Sequence, residues 1–257
     1  MRLPFRNRFR ETPRIRFSVH GDGRTASEGS DGPDDLLFVL GWGNEPGHHP
    51  VSWLLDRLAD EYRVHAVTLP TNGWDFEDQY LDPVRAYYED REFDAVLSHS
   101  TGGLVAAHLA AVVDVPPQVF LSPWWGMAPG GGFESAVLPY FLRLPTARRL
   151  FEPDRDRTDI GNLKPEAEFE AGPRGVSPAF LRTVVDAQAR LPPFDPADAV
   201  FCTLSDRIVS VRAIGDRTPA ANLRPYDGGH EFFASSGREA VVEDVLAALD
   251  GGVNAIR

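Results

Sequence analysis

The sequence predicts an α/β fold in which a mostly parallel sheet carries helices on both faces. Apolar runs of strand length recur along the chain and alternate with stretches of helical spacing. Several of these runs are continuously apolar, which is typical of strands buried on both faces of a parallel sheet. With 257 residues, the chain is long enough for one large domain that carries an insertion.

The first half of the chain supplies five predicted strands and three predicted helices. Residues 14–19 alternate apolar and polar side chains, as expected of an edge strand. Further strands are predicted at 36–40, 64–69, 95–97 and 119–121, and helices at 52–62, 83–91 and 104–113. This order predicts parallel strands joined by crossover helices.

The alternation breaks in the second half of the chain. Residues from about 126 to 193 have helical and irregular patterns, which predicts a helical cap inserted into a single domain spanning 1–257. Within it, Ser177 and Pro178 occupy the N-cap and first helical positions of one clear helix. Strand patterns return at 199–204 and 222–226, and an amphipathic segment at 239–249 predicts a final helix.

The charge composition is acidic and almost free of lysine. The chain has 38 Asp and Glu against 26 Lys and Arg, a formal net charge of −12, and Lys164 is its only lysine. Such a surface indicates adaptation to concentrated salt, so we expect a halophilic source; a codon bias without adaptive content is the alternative. The same charge disfavours nucleic acid and anionic membranes as partners.

The sequence also lacks the patterns of export, membrane insertion and metal binding. The Arg-rich start of the chain has no apolar core of the kind that export signals carry, and no apolar run reaches the ~18 residues of a membrane span. Cys202 is the single cysteine, and His48 and His49 have no carboxylate or thiolate at ligand spacing. We therefore expect a cytoplasmic protein without a metal or other cofactor.

A cluster of small polar residues interrupts the apolar sequence between a predicted strand and helix. The stretch Ser98-His99-Ser100-Thr101-Gly102 has small residues two positions before and after its central serine. Small residues there allow a strand and a helix to meet at a sharp turn that exposes the serine hydroxyl. The free N–H groups and positive dipole end of the following helix would then lie beside Ser100.

This stretch resembles the nucleophile elbow G-x-S-x-G of the α/β-hydrolase family, with Ser98 in place of the first glycine. The resemblance implies an acid after the penultimate strand, matched by Asp206, and a histidine after the last strand, matched by His230. It therefore implies a catalytic triad of Ser100, His230 and Asp206, in the chain order of that family. Asp198 and Asp227 are rival acids, but neither follows the penultimate strand.

The resemblance further implies an oxyanion hole and a substrate pocket. The loop after the strand at 36–40 matches the segment that donates one N–H, so Trp42 and Thr101 are the expected donors, although Leu40 stands where the family often has histidine. Trp124 and Trp125 follow a strand and are candidates for the wall of the pocket. Simple core packing of the two indoles is an equal alternative.

The function implied by the resemblance is that of a serine hydrolase. Such an enzyme would cleave small, largely apolar carboxylic esters through an acyl-enzyme and would need no cofactor. The same triad also serves acyl transfer, lyase chemistry and perhydrolysis, so these reactions remain alternatives. The departures at Ser98 and Leu40 leave open a binding protein that has kept the fold without turnover.

Overall fold

The structure is a computed structural model that describes residues 13–22, 34–128, 132–153 and 155–256, with side chains described outside residues 132–136. The sequence predicts that the Arg-rich N-terminal segment is not an export signal. Most of this segment lies outside the described residues. The described residues form an α/β architecture around a seven-stranded sheet, which confirms the predicted fold class.

The sheet has the strand order β1-β3-β2-β4-β5-β6-β7. Its strands are β1 Arg16–His20, β2 Asp35–Val39, β3 Arg63–Thr68, β4 Ala95–His99, β5 Gln118–Leu121, β6 Ala199–Cys202 and β7 Leu223–Pro225. The edge strand β1 is antiparallel to β3, and every other pairing in the sheet is parallel. The carboxyl ends of six parallel strands therefore meet at one edge, where loops can bring distant residues together.

The described helices are α1 His49–Ala59, α2 Asp82–Glu89, α3 Thr101–Leu109, α4 Gly132–Leu142, α5 Arg157–Ile160, α6 Glu166–Ala171, α7 Pro178–Ala189, α8 Val211–Arg217 and α9 Arg238–Gly251. A π-helical turn at Glu77–Leu81 leads into α2, and short 3₁₀ turns lie at Ala220–Asn222, Phe232–Ala234 and Gly252–Ile256. Helix α1 begins three residues before the predicted start because Pro50 sits in its first turn, where a missing N–H costs nothing.

Two hydrophobic layers lie on the two faces of the sheet. Leu37 and Val39 of β2 point into one layer, while Leu36 and Phe38 point into the other, and all four are fully buried. This two-sided burial explains why the central strands read as continuous apolar runs. The layers contain α3 and α7 on one face and α1 and α9 on the other.

The insertion between β5 and β6 carries α4 to α7, which agrees with the helical character predicted there. It packs against loops at the carboxyl edge of the sheet: Asn72 Nδ2 donates to the carbonyl of Ala147 at 2.7 Å, and the N–H of His49 donates to Glu168 at 2.8 Å. Ser177 caps α7 as predicted, since its hydroxyl accepts the N–H of Phe180 at 3.1 Å. No helix among the described residues is long and apolar enough to cross a bilayer.

Candidate active site

Ser100 lies in a sharp turn between β4 and α3. Its backbone has φ 53° and ψ −117°, a left-handed conformation that costs a non-glycine residue about 1–2 kcal/mol. Surrounding hydrogen bonds hold this turn. The N–H of Ser100 donates to the carbonyl of Leu121, and the carbonyl of Ser100 accepts the N–H groups of Gly103 and Trp124 at 3.0 and 2.9 Å. Strain maintained in this way is typical of functional positions.

Small residues on both sides of Ser100 make the turn possible. A Cβ at Gly102 would lie 2.1 Å from the carbonyl oxygen of Val39, so only glycine allows α3 to approach β2 this closely. Ser98 replaces the first glycine of the motif and is fully buried in β4 between its partners on β2 and β5. The strand accommodates the Ser98 side chain, but its hydroxyl has no hydrogen-bond partner among the described residues.

His230 and Asp206 meet Ser100 at this turn. His230 Nε2 lies 2.9 Å from Ser100 Oγ, and His230 Nδ1 lies 2.8 Å from Asp206 Oδ2. The carboxylate can only accept, so Nδ1 carries the proton and Nε2 is free to accept the hydroxyl proton of Ser100. Residues that are 130 and 24 positions apart in sequence thus form one continuous chain of hydrogen bonds.

The carboxyl group of Asp206 remains ionised in its buried position. Burial by itself would raise its pKa, but the charge and hydrogen bond of His230 and the N–H groups of Val209 and Ile208 outweigh burial and lower the pKa below the ordinary value. The two N–H groups donate to Asp206 Oδ1 at 2.9 and 2.8 Å, which leaves Oδ2 for His230. A fixed carboxylate of this kind stabilises an imidazolium and orients the ring.

The loop that carries His230 is held from two sides. On one side, the N–H of His230 donates to the carbonyl of Asp159 in the insertion at 2.9 Å. On the other side, the buried hydroxyl of Tyr226 lies 2.8 Å from the His230 carbonyl and 2.9 Å from Ser122 Oγ. Burial raises the pKa of Tyr226 well above its ordinary value, so the phenol keeps its proton and stays a donor.

The backbone N–H groups of Trp42 and Thr101 are the two expected oxyanion donors. Neither donates to any of the described residues, which leaves both N–H groups free for an incoming oxygen. Trp42 itself is held by its indole N–H, which donates to the Thr71 carbonyl at 2.8 Å. From the insertion, the guanidinium of Arg155 lies 5.3 Å from the Trp42 ring centroid.

The structure separates the two tryptophans that were candidates for the pocket wall. Trp124 is half-buried beside Phe180, whose ring also stacks on Trp42 at 6.2 Å, so these three aromatic rings are contiguous. Trp125 is instead packed in the hydrophobic core against Phe120, and its indole N–H donates to the carbonyl of Gly103. Trp124 therefore remains a candidate for the pocket wall, whereas Trp125 packs in the core, which was the alternative for both indoles.

A buried polar network beside His230 was not predicted from the sequence. The side chains of Lys164 and Glu231 form an ion pair at 3.0 Å, Asn44 Nδ2 donates to Glu231 at 2.8 Å, and Asn44 Oδ1 lies 3.2 Å from His99 Nδ1. Burial and the nearby His230 lower the pKa of His99 well below its ordinary value, so its ring is neutral. Two signals were present in the sequence: Lys164 is the only lysine, and Glu231 directly follows His230.

Of the two rival acids, Asp227 lies in the loop of His230 but its side chain is exposed, and Asp198 lies at the other end of the sheet. Asp198 accepts the N–H of Gln118 at 2.7 Å, at the amino-terminal end of β5, and therefore at the opposite edge of the sheet from Ser100. Among the described residues, no three His, Cys, Asp or Glu side chains are grouped as a metal site would need. A surface cleft beside β1, lined by Ile15, Phe17, Trp74 and their neighbours, contains none of the candidate site residues.

Comparisons with known proteins agree with this architecture. A family model described as "Alpha/beta hydrolase family" matches residues 36–244. A comparison with curated protein sequences finds no match. Among solved structures, a monoacylglycerol lipase from Paleococcus ferrophilus aligns with a TM-score of 0.68 at 16% identity, covering 94% of this chain and 99% of its own.

Two further solved structures are similar over most of their length. A soluble variant of monoglyceride lipase from Saccharomyces cerevisiae aligns with a TM-score of 0.70 at 12% identity, covering 93% of this chain and 92% of its own. An esterase from Rhodococcus aligns with a TM-score of 0.56 at 18% identity, covering 91% and 95%. At these identities the likeness establishes the shared fold.

Proposed function

Because the chain belongs to the alpha/beta hydrolase family, we propose that it is a serine hydrolase that cleaves small, largely apolar carboxylic esters through an acyl-enzyme. The observation that carries this proposal is the hydrogen-bonded chain from Ser100 Oγ through His230 to Asp206, set at a strained turn. A serine hydroxyl needs such a base and such an exposed position to act as a nucleophile. The aromatic rings of Trp42, Phe180 and Trp124 support an apolar acyl or alcohol group in the substrate.

The geometry supports the following reaction sequence. His230 Nε2 takes the hydroxyl proton while Ser100 Oγ attacks the ester carbonyl, and Asp206 stabilises the imidazolium that forms. The N–H groups of Trp42 and Thr101 receive the oxyanion, each contributing about 3 kcal/mol of transition-state stabilisation. His230 then returns its proton to the leaving alkoxide, and a water molecule, activated by the same histidine, releases the acid and restores Ser100.

A fluorophosphonate probe tests whether Ser100 is activated. In molar salt, the folded wild-type protein should be labelled, whereas Ser100→Ala and His230→Ala should not. Ser236→Ala and His49→Ala, at exposed positions outside the site, serve as matched controls and should be labelled like the wild type. Absence of labelling in all folded samples would favour a binding protein that has kept the fold without turnover.

A panel of p-nitrophenyl esters of graded acyl length then tests the substrate class. We expect turnover of short, uncharged acyl groups in water without any added acceptor. If labelling occurs but product forms only when an acyl acceptor, peroxide or lyase substrate is supplied, the hydrolase assignment is replaced by that reaction. The panel thereby separates the hydrolase from acyl transfer, perhydrolysis and lyase chemistry.

A further inference from the structure

The only lysine of the chain forms a buried ion pair next to the candidate active site. Lys164 Nζ lies 3.0 and 3.3 Å from the two carboxylate oxygens of Glu231, and the two side chains are 6% and 8% exposed. Lys164 belongs to the insertion, between α5 and α6, while Glu231 directly follows His230. The pair therefore joins the insertion to the loop that carries the histidine.

An ion pair at this depth is poorly explained by stability alone. Removing two charges from water carries a large desolvation penalty, and apolar residues of similar volume are often as stabilising or more so. Buried pairs are best attested where they specify one arrangement among several. Because Lys164 is in the insertion and Glu231 is in the loop of His230, the arrangement that this pair can specify is the position of that loop against the insertion.

The ion pair continues into the segments that carry the other site residues. Asn44 Nδ2 donates to Glu231 Oε1, and Asn44 lies two residues after Trp42 in the same loop. Asn44 Oδ1 in turn accepts from His99 Nδ1 at 3.2 Å, and His99 directly precedes Ser100. The network thus touches a sequence neighbour of the nucleophile, of the base and of one oxyanion donor.

Backbone contacts bring the insertion against the histidine loop at the same place. Besides the bond from His230 to Asp159, the N–H of Glu231 donates to the carbonyl of Ile160 at 2.7 Å, and the N–H of Leu163 donates to Ala234 at 2.8 Å. A Cβ at Gly161 would lie 2.6 Å from the carbonyl oxygen of Ala234, so the two segments are in close contact.

We propose that Lys164 is a positioning residue for the proposed hydrolase: by holding Glu231, it fixes the loop of His230 relative to Ser100 and to the Trp42 loop. This inference rests on the proposed function for its kinetic consequence. Its structural consequence, the placement of His230 against Asp206, is measurable whether or not the protein turns over esters.

Three variants test the pair. Lys164→Met removes the cation at similar length, Glu231→Gln removes the anion and keeps an oxygen for Asn44, and the double variant leaves no unpaired charge. We expect each single variant to lower kcat by about 10-fold to 100-fold with KM within about twofold, as a displaced catalytic group does. The double variant should regain stability, because no buried charge is unpaired, while its kcat stays low.

Arg63→Met is the matched control. Arg63 forms a part-buried ion pair with Asp35 at the amino-terminal ends of β2 and β3, the opposite edge of the sheet. This variant should lose stability without a change in kcat. If the Lys164 and Glu231 variants behave like Arg63→Met, or if the double variant recovers wild-type kcat, the pair has no positioning role and the inference is overturned.

A proton NMR measurement distinguishes failure of this inference from failure of the proposed function. We expect the His230 Nδ1 proton, hydrogen-bonded to Asp206, to give a downfield resonance that His230→Ala removes. We expect this resonance to shift or broaden in Lys164→Met and to stay in place in Arg63→Met, even if the wild-type protein shows no esterase activity. An unchanged resonance in Lys164→Met would overturn the positioning role whatever the activity.

Discussion

Replacing Gly102 with alanine tests the geometry on which the candidate nucleophile depends. An added Cβ would lie 2.1 Å from the Val39 carbonyl oxygen, 2.7 Å from its carbon and 2.8 Å from the Leu40 carbonyl oxygen. The shortest of these contacts must lengthen by about 0.9 Å to reach the 3.0 Å below which Cβ contacts are essentially absent. All three atoms are backbone, so no side-chain rotation relieves the contact, and α3 must move away from β2.

The expected consequences of Gly102→Ala are a less stable and much less reactive protein. Overpacking at a rigid site costs about 1–3 kcal/mol of unfolding free energy. A shift approaching 1 Å of the turn that carries Ser100 should slow fluorophosphonate labelling and ester turnover by about 100-fold. Urea unfolding measures the first effect, and the labelling rate of the folded protein measures the second.

Gly215→Ala is the matched control for this substitution. Gly215 lies in α8, and a Cβ there would meet no atom within 4 Å. Alanine should therefore stabilise the protein by about 0.5–1 kcal/mol through helix propensity and leave labelling unchanged. Wild-type stability and labelling in Gly102→Ala would refute the argument that this glycine is required for the turn.

Three further predictions concern buried polar groups and charge. Ser98→Ala removes a buried hydroxyl that has no described partner, so it should raise stability by up to about 1 kcal/mol without slowing labelling; a loss of stability would contradict this. Burial raises the pKa of Asp198 to about 7, so between about pH 4 and 7 the folded state keeps a proton that the unfolded state releases, and stability falls as pH rises. Asp198→Asn, which keeps an acceptor for Gln118, should remove this pH dependence. The free energy of unfolding in urea of the variant, relative to that of the wild type, should then grow by about 1.4 kcal/mol per pH unit and level off above pH 7. A pH-independent difference between the two proteins would contradict the raised pKa. Because the net charge is −12, lowering the salt concentration from 1 M to 0.1 M, which lengthens the Debye length from about 3 to about 10 Å, should loosen the fold. Circular dichroism should show this as lost ellipticity, and a constant spectrum would argue against salt adaptation.

The sheet could be predicted because its strands follow local rules, whereas the candidate triad was implied by the resemblance to a family. Continuous apolar runs mark strands buried on both faces, and the residues that follow parallel strands meet at one edge of the sheet. Ser100 follows β4, Asp206 follows β6 and His230 follows β7, so their convergence needed only the strand order of the family. The small residues around Ser100 also predicted the sharp turn between the strand and the helix.

Other features depend on packing and on contacts between distant residues, which no local sequence pattern indicates. Helix α8 was not predicted because only Ile214 in it is buried, so no apolar stripe exists. Helix α3 begins at Thr101 rather than at the predicted Leu104, since close packing against β2 outweighs the poor helix propensity of the glycines. Lys164 and Glu231 are 67 residues apart, and their pairing appears only when the insertion folds against the histidine loop.

Trapping of the acyl-enzyme shows directly whether Ser100 is the nucleophile. The protein is mixed with a p-nitrophenyl ester, quenched in acid within the first turnovers, and examined by intact mass and peptide mapping. We expect one acyl group on the peptide that contains Ser100, absent in Ser100→Ala and strongly reduced in His230→Ala. Ester turnover without an adduct, or with the acyl group on another residue, would contradict this role of Ser100.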